Sequence, residues 1–186
     1  MKHLTLLFCF LATGALAQER AAHIFLGMPL GTLGERGAGL KPKPGFAIGL
    51  DYWFFNAKGN AWSLGASYSS FKRKNESQKE TFEYLTVRAM PLVWHLDEKK
   101  QWYIEAGGFA NHLLHQESQM GGSVTNNTKL FKKIYVGLSG GLGARLGEKD
   151  KTRILAGIRN DLGLLGFGKG LPLSFNIITL YAGLEI

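Results

Sequence analysis

Between residues 22 and 186, segment after segment places apolar side chains at every second position. In one segment Phe46, Ile48, Leu50, Tyr52 and Phe54 share a side of an extended chain, opposite Ala47, Gly49 and Asp51. In another, Val136, Leu138, Gly140, Leu142, Ala144 and Leu146 lie opposite Gly137, Ser139, Gly141, Gly143 and Arg145. The last stretch sets Ile178, Leu180, Ala182, Leu184 and Ile186 against Ile177, Thr179, Tyr181, Gly183 and Glu185. This period of two predicts eight strands, over 22-32, 45-56, 61-72, 82-96, 101-114, 131-147, 152-167 and 174-186. One face of each is aliphatic, and the other is small or charged. A soluble ligand barrel turns its apolar face inward, so here the pattern predicts the reverse, with hydrocarbon outside and a narrow polar filling inside.

The connections support the same architecture. Long ones at 33-44, 73-81, 115-130 and 168-173 alternate with short polar turns at 57-60, 97-100 and 148-151. That alternation predicts an all-β protein: an eight-stranded antiparallel up-and-down transmembrane β-barrel, with short turns and both termini on the periplasmic side. All the tryptophans flank the short turns. Trp53, Trp62, Trp94 and Trp102 are therefore expected to form an aromatic belt at one membrane interface. Phe71, Phe82, Tyr84, Phe131, Tyr135, Phe167 and Phe175, beside the long connections, are expected to form a second girdle.

The start of the chain fits an exported protein. Lys2 and His3 precede the apolar run 4-11, and Ala15-Leu16-Ala17 has the small-x-small pattern of a signal-peptidase site. Residues 1-17 are thus expected to be a cleaved signal peptide and 18-186 a single barrel domain. Cys9 would leave with the signal, which removes disulfide and thiol chemistry from the remainder. The 25 glycines exceed the usual ~7% share without a collagen period. Mean hydropathy is −0.04, and no run after the first is long and apolar enough for a membrane-spanning helix.

Charge refines the picture in two places. Arg88, Glu105, Arg145, Arg159, Asp161 and Glu185, with Asp51, fall on the small-residue faces and are nearly balanced in sign. They are expected to pair as a structural polar network in the lumen, where facing glycines leave room for long side chains. The formal net charge of +8 is concentrated partly at Lys72, Arg73 and Lys74 and at Lys129, Lys132 and Lys133, at the bases of two long connections. These are candidate contacts for lipopolysaccharide head groups. Outer-membrane lipid, lipopolysaccharide and other envelope proteins are the expected partners, and nucleic acid is not.

The stretches Phe82–Val93, Trp102–Ala110, Val136–Gly143 and Gly157–Leu164 resemble successive strands of the PorT-like outer-membrane β-barrel family, widespread in Bacteroidota. The resemblance implies an eight-stranded barrel in the bacterial outer membrane without catalytic residues, in a structural, adaptor or transport- and secretion-accessory role. One named family member serves secretion, and that activity does not transfer. Arg88 stands about where the family often has proline, and Ile186 replaces the usual terminal aromatic. Pro91 cannot donate to a strand ladder inside a closed barrel, so a bulge is expected there, switching parity so that Leu92 and Trp94 face outward. The alternative function is a lipid A acyl hydrolase. It would need a Ser-His pair, for which His112 with Ser118 or Ser123 is the only plausible source, His115 being the other histidine at the rim. No cofactor and no metal site are expected.

Overall fold

The structure, a computed structural model, describes residues 19–33, 39–57, 59–148, 151–164 and 175–186. The expected signal peptide and Phe167 lie outside these residues. The strands are β1 (Glu19–Leu33), β2 (Lys41–Phe55), β3 (Ala61–Lys74), β4 (Gln78–His95), β5 (Trp102–Met120), β6 (Ser123–Asn126), β7 (Ile134–Leu146), β8 (Arg153–Gly163) and β9 (Phe175–Glu185). Eight of them form one antiparallel sheet in which each strand pairs with its neighbours, β4 also pairs with β5, and β1 pairs with β9. The sheet is therefore a closed up-and-down barrel. Backbone bonds between Ala22 and Ile186, at 2.8 and 3.1 Å, carry the closure to the last residue. The short β6 folds back on the end of β5 as a hairpin outside the barrel pairing.

Facing follows the alternation. Leu50 is 59% and Leu138 55% exposed, whereas Arg159 is 4% and Asp161 1% exposed. Around the wall the exposed positions are aliphatic or aromatic on strand after strand, including Ile24, Leu26, Ile48, Leu85, Val87, Leu142, Ile158 and Leu180. An apolar surface this continuous far exceeds the patch a water-soluble monomer carries. The Pro91 bulge is present: pairing of β4 with β5 shifts register between Ala89 and Leu92, leaving Leu92 and Trp94 outward and Met90, Val93 and His95 inward.

The short turns are closed by local bonds. Asn56 accepts the Gly59 and Asn60 amides, and Gly59 takes φ +82°, which glycine adopts without a Cβ penalty. At 97–100, Lys100 N–H donates to the Asp97 carbonyl at 3.0 Å, and the Asp97 carboxylate accepts the Trp102 amide at 2.7 Å. That bond, stronger to the charged form than to the neutral acid, holds the Asp97 carboxyl below its usual range. Its contribution is present above the ordinary aspartate range and lost as pH falls through the depressed value. Asp97→Asn is expected to speed hydrogen exchange of the Trp102 amide at neutral pH and to flatten its acid dependence. Unchanged protection, read by mass spectrometry, counts against a turn locked by this carboxylate.

Two of the expected long connections differ from the pattern. The 73-81 stretch is not a loop: β3 runs to Lys74 and β4 starts at Gln78. Asn75 closes the gap, its side-chain oxygen accepting the Ser77 and Gln78 amides at 2.9 and 2.7 Å. Nor is 115-130 irregular, since β5 continues to Met120, β6 pairs back on it, and a short 3-10 turn follows at Thr128–Leu130. At 18 and 19 residues, β4 and β5 greatly exceed the ~9–11 needed to cross a bilayer. This side of the wall therefore continues beyond the apolar band.

Candidate functional site

Two regions concentrate chemistry: the lumen and the rim at the long-connection end. At the turn end of the lumen, Arg145 donates to both Glu185 oxygens at 2.7 and 2.6 Å. Glu185 also meets His23 at 3.2 Å and Arg153 at 3.4 Å, and Arg145 reaches His95 at 3.1 Å. The Arg145 guanidinium lies over the Trp53 and Phe55 rings, at 5.5 and 5.1 Å. Next, Arg159 donates to Glu105 at 2.7 and 3.2 Å and to Asp51 at 2.9 Å, with its guanidinium over the adjoining rings of Phe25 and Tyr181. Arg88 bonds both oxygens of Asp161, at 3.4 and 2.6 Å, and Ser67 at 2.8 Å, while Ser139 donates to Asp161.

The sequence-predicted lumen residues Arg88, Glu105, Arg145, Arg159, Asp161 and Glu185 thus all lie inside, joined in three groups rather than one. Opposite glycines make the space. A Cβ on Gly141 would press on the Glu105 carboxylate, and one on Gly65 would collide with that of Asp51. Sequence reasoning missed His23, His95, Arg153, Ser67 and Ser139, although parity places each on the same side as its charged partner. A cavity of about 10 Å³ beside Trp53, Arg159 and Tyr181 has room for about one water and no more.

The aromatic assignments need correction. Trp53 is 1% exposed and packs edge-on against Tyr103 at 4.8 Å, so it belongs to the lumen and not to the belt. Trp62 stacks on Phe54 at 4.0 Å, and Trp94 and Trp102 face outward. Of the expected second girdle, Phe71, Phe82, Tyr84, Tyr135 and Phe175 are fully buried and plug the lumen's far end together with Phe109, Leu113 and Ile177. Phe131 packs against this plug from its edge. The reason is parity: each buried ring occupies an inward position of its strand, and proximity to a strand end does not override the pleat.

At the rim, Lys72, Lys74, Lys129, Lys132 and Lys133 are exposed. Arg73 is not: it is 3% exposed, points inward and pairs with Glu80 at 3.3 Å. Lys41, Lys43 and Lys79, not anticipated, stand beside Lys72 and Lys74. The hydrolase candidates are spread out. His112 and Ser118 lie six residues apart on β5, roughly 20 Å along the strand. Ser123 pairs with Met120, beyond Ser118. His115 contacts Glu117 at 3.6 Å and Asn126 at 3.4 Å.

No protein-family model matches the chain, and no curated protein matches it. Among solved structures, Neisserial surface protein A aligns with a TM-score of 0.57 at 12% identity, covering 90% of this chain and 96% of that one. Ail, the attachment invasion locus protein of Yersinia pestis, aligns at 0.50 with 18% identity, covering 91% of this chain and all of its own length. At such identities the likeness is one of fold. The class is an eight-stranded antiparallel barrel of outer-membrane type, here with a filled lumen.

Proposed function

We propose that the chain is an integral, non-conducting and non-catalytic barrel of the bacterial outer membrane with a structural or adaptor role. In this reading the short turns and both termini face the periplasm, residues 1-17 are removed on export, and the exposed Lys72 and Lys74 of the rim meet lipopolysaccharide. The observation that carries it is the inverted distribution of polarity. Paired charges fill the interior, an aromatic plug caps it, and aliphatic side chains cover the outside. The separation of His112 from Ser118 and Ser123 supports a non-catalytic role, since base and nucleophile must reach hydrogen-bond distance. The strand resemblance to PorT-like barrels of Bacteroidota supports the same class and does not extend to secretion.

Expected results are co-fractionation with outer membranes, resistance to carbonate extraction, altered gel mobility without boiling, and no steady conductance in planar bilayers. Recovery as a soluble periplasmic monomer would refute the membrane assignment. Stable single-channel steps would refute the filled lumen. Removal of an acyl chain from lipid A, dependent on His112, would establish the hydrolase instead.

A further inference from the structure

The bulge in β2 and the tight turn after β3 bring lysines from three strands into register. Lys43 lies opposite Lys72, which lies opposite Thr81, and Lys41 lies opposite Lys74, which lies opposite Lys79. Arg73, between Lys72 and Lys74, points into the barrel, so its neighbours face outward. The result is a two-by-three grid with lysine at every position but that of Thr81. Cross-strand neighbours are about 5 Å apart and positions along a strand about 7 Å.

Like charges directly opposite one another destabilise a strand pair. Among the described residues no ion pair involves any of these lysines, whereas the arginines inside the barrel are matched by carboxylates. The backbone nonetheless holds the grid firmly. Pairing of β2 with β3 skips between Lys43 and Phe46, and at Gly45 any Cβ would collide with the Ser70 carbonyl, so the close approach requires glycine. Asn75 fixes Lys74 against Lys79 from the other side. A cleft of about 780 Å³ opens along Lys41, Lys43 and Lys74.

The grid's height identifies the ligand. Trp62, at the turn end of β3, and Lys72 are ten residues apart, with Leu64, Ala66 and Tyr68 facing outward between them. Ten residues span about 33 Å along the strand, or about 25 Å of height at ~40° tilt, the thickness of the apolar band of such barrels. The lysines therefore look sideways into the head-group layer. We propose that Lys41, Lys43, Lys72, Lys74 and Lys79 form a site for the phosphate groups of lipopolysaccharide, each lysine acting as a compact charge against a mobile phosphate. This rests on the outer-membrane reading and names where, and through which chemistry, the barrel holds its lipid.

The test measures binding of purified lipopolysaccharide, and of the same material after enzymatic dephosphorylation, to the refolded protein in neutral detergent. The grid variant K43Q/K72Q/K74Q is compared with the charge-matched K129Q/K132Q/K133Q. The grid variant is expected to bind about tenfold or more weakly, and the matched variant to lose less than about threefold. Dephosphorylation should weaken binding to the wild type by as much as the grid substitutions do and change binding to the grid variant little, and the wild-type response alone decides whether phosphate is the ligand if that variant fails to fold. Equal binding by all proteins, equal loss in both variants, or preference for a sulphated polysaccharide over lipopolysaccharide would each overturn the site. Insertion into neutral vesicles with a heat-dependent gel shift reports on the barrel separately, so its failure would strike the outer-membrane reading.

Discussion

Arg159→Leu is expected to destabilise the barrel by several kcal/mol, on the order of 3–5, and to slow its assembly. Arg159 is the cation shared by Glu105 and Asp51, at 2.7 and 2.9 Å, in a tier where every side chain is sealed from water. Leucine approximates the stem but leaves two buried carboxylates facing each other, and the hydrogen-bonded wall cannot open to let water reach them. Removing one partner of a buried pair costs far more than replacing the whole pair by neutral groups. Arg159→Leu with Asp51→Asn and Glu105→Gln is therefore expected to recover much of the loss. Glu117→Ala, at the half-exposed contact with His115, should change little. Urea unfolding in phospholipid vesicles, followed by tryptophan emission and gel mobility, distinguishes these outcomes. If Arg159→Leu unfolded together with Glu117→Ala, the tier would contribute nothing to stability.

That tier was legible in the sequence because a pleat has only two sides. Once the aliphatic side was assigned to lipid, Asp51, Glu105 and Arg159 had to point inward, and the facing glycines showed that there was room. Partnership was not legible, because it depends on barrel stagger: the carboxylates meeting Arg159 come from β2 and β5, 108 and 54 residues away. Trp53 shows where the reasoning failed. It shares parity with Asp51, yet its place beside a turn assigned it to the interfacial belt; axial level and facing are independent coordinates, and only the second decides what a side chain touches. The 73-81 stretch failed differently. A polar, charged run reads as a loop, but Asn75 converts it into a tight turn between strands that are polar because they have left the membrane. The lysine grid was hidden by the same misreading, since Lys79 and Lys74 become neighbours only across that turn.

Parity also yields the second large effect, Phe71→Ala. Phe71 is fully buried, with ring centroids 5.3, 5.8 and 5.5 Å from those of Phe82, Tyr84 and Phe175. Gly31 on β1 lies against its ring so closely that any Cβ would overlap it. Truncating a buried phenylalanine typically costs about 3–5 kcal/mol, the upper part applying where surroundings cannot collapse into the cavity. Here Phe71 is held by cross-strand pairing with Phe82 inside a closed barrel whose strands cannot draw together freely, so the cavity should persist and the cost lie toward that upper part. Phe46→Ala removes the same ring from the outer surface, where half of it already faces lipid and acyl chains can fill the space. Its cost should be well under half as large. Had Phe71 belonged to an interfacial girdle, the two substitutions would behave alike. Phe71→Ala should nevertheless conduct no ions, because the Arg88–Asp161 and Arg159–Glu105 pairs still fill the lumen beyond the plug. Vesicle unfolding and bilayer recordings on the two variants test both statements: equal stability would return Phe71 to the membrane interface, and open-channel steps would make the aromatic plug the barrel's sole seal.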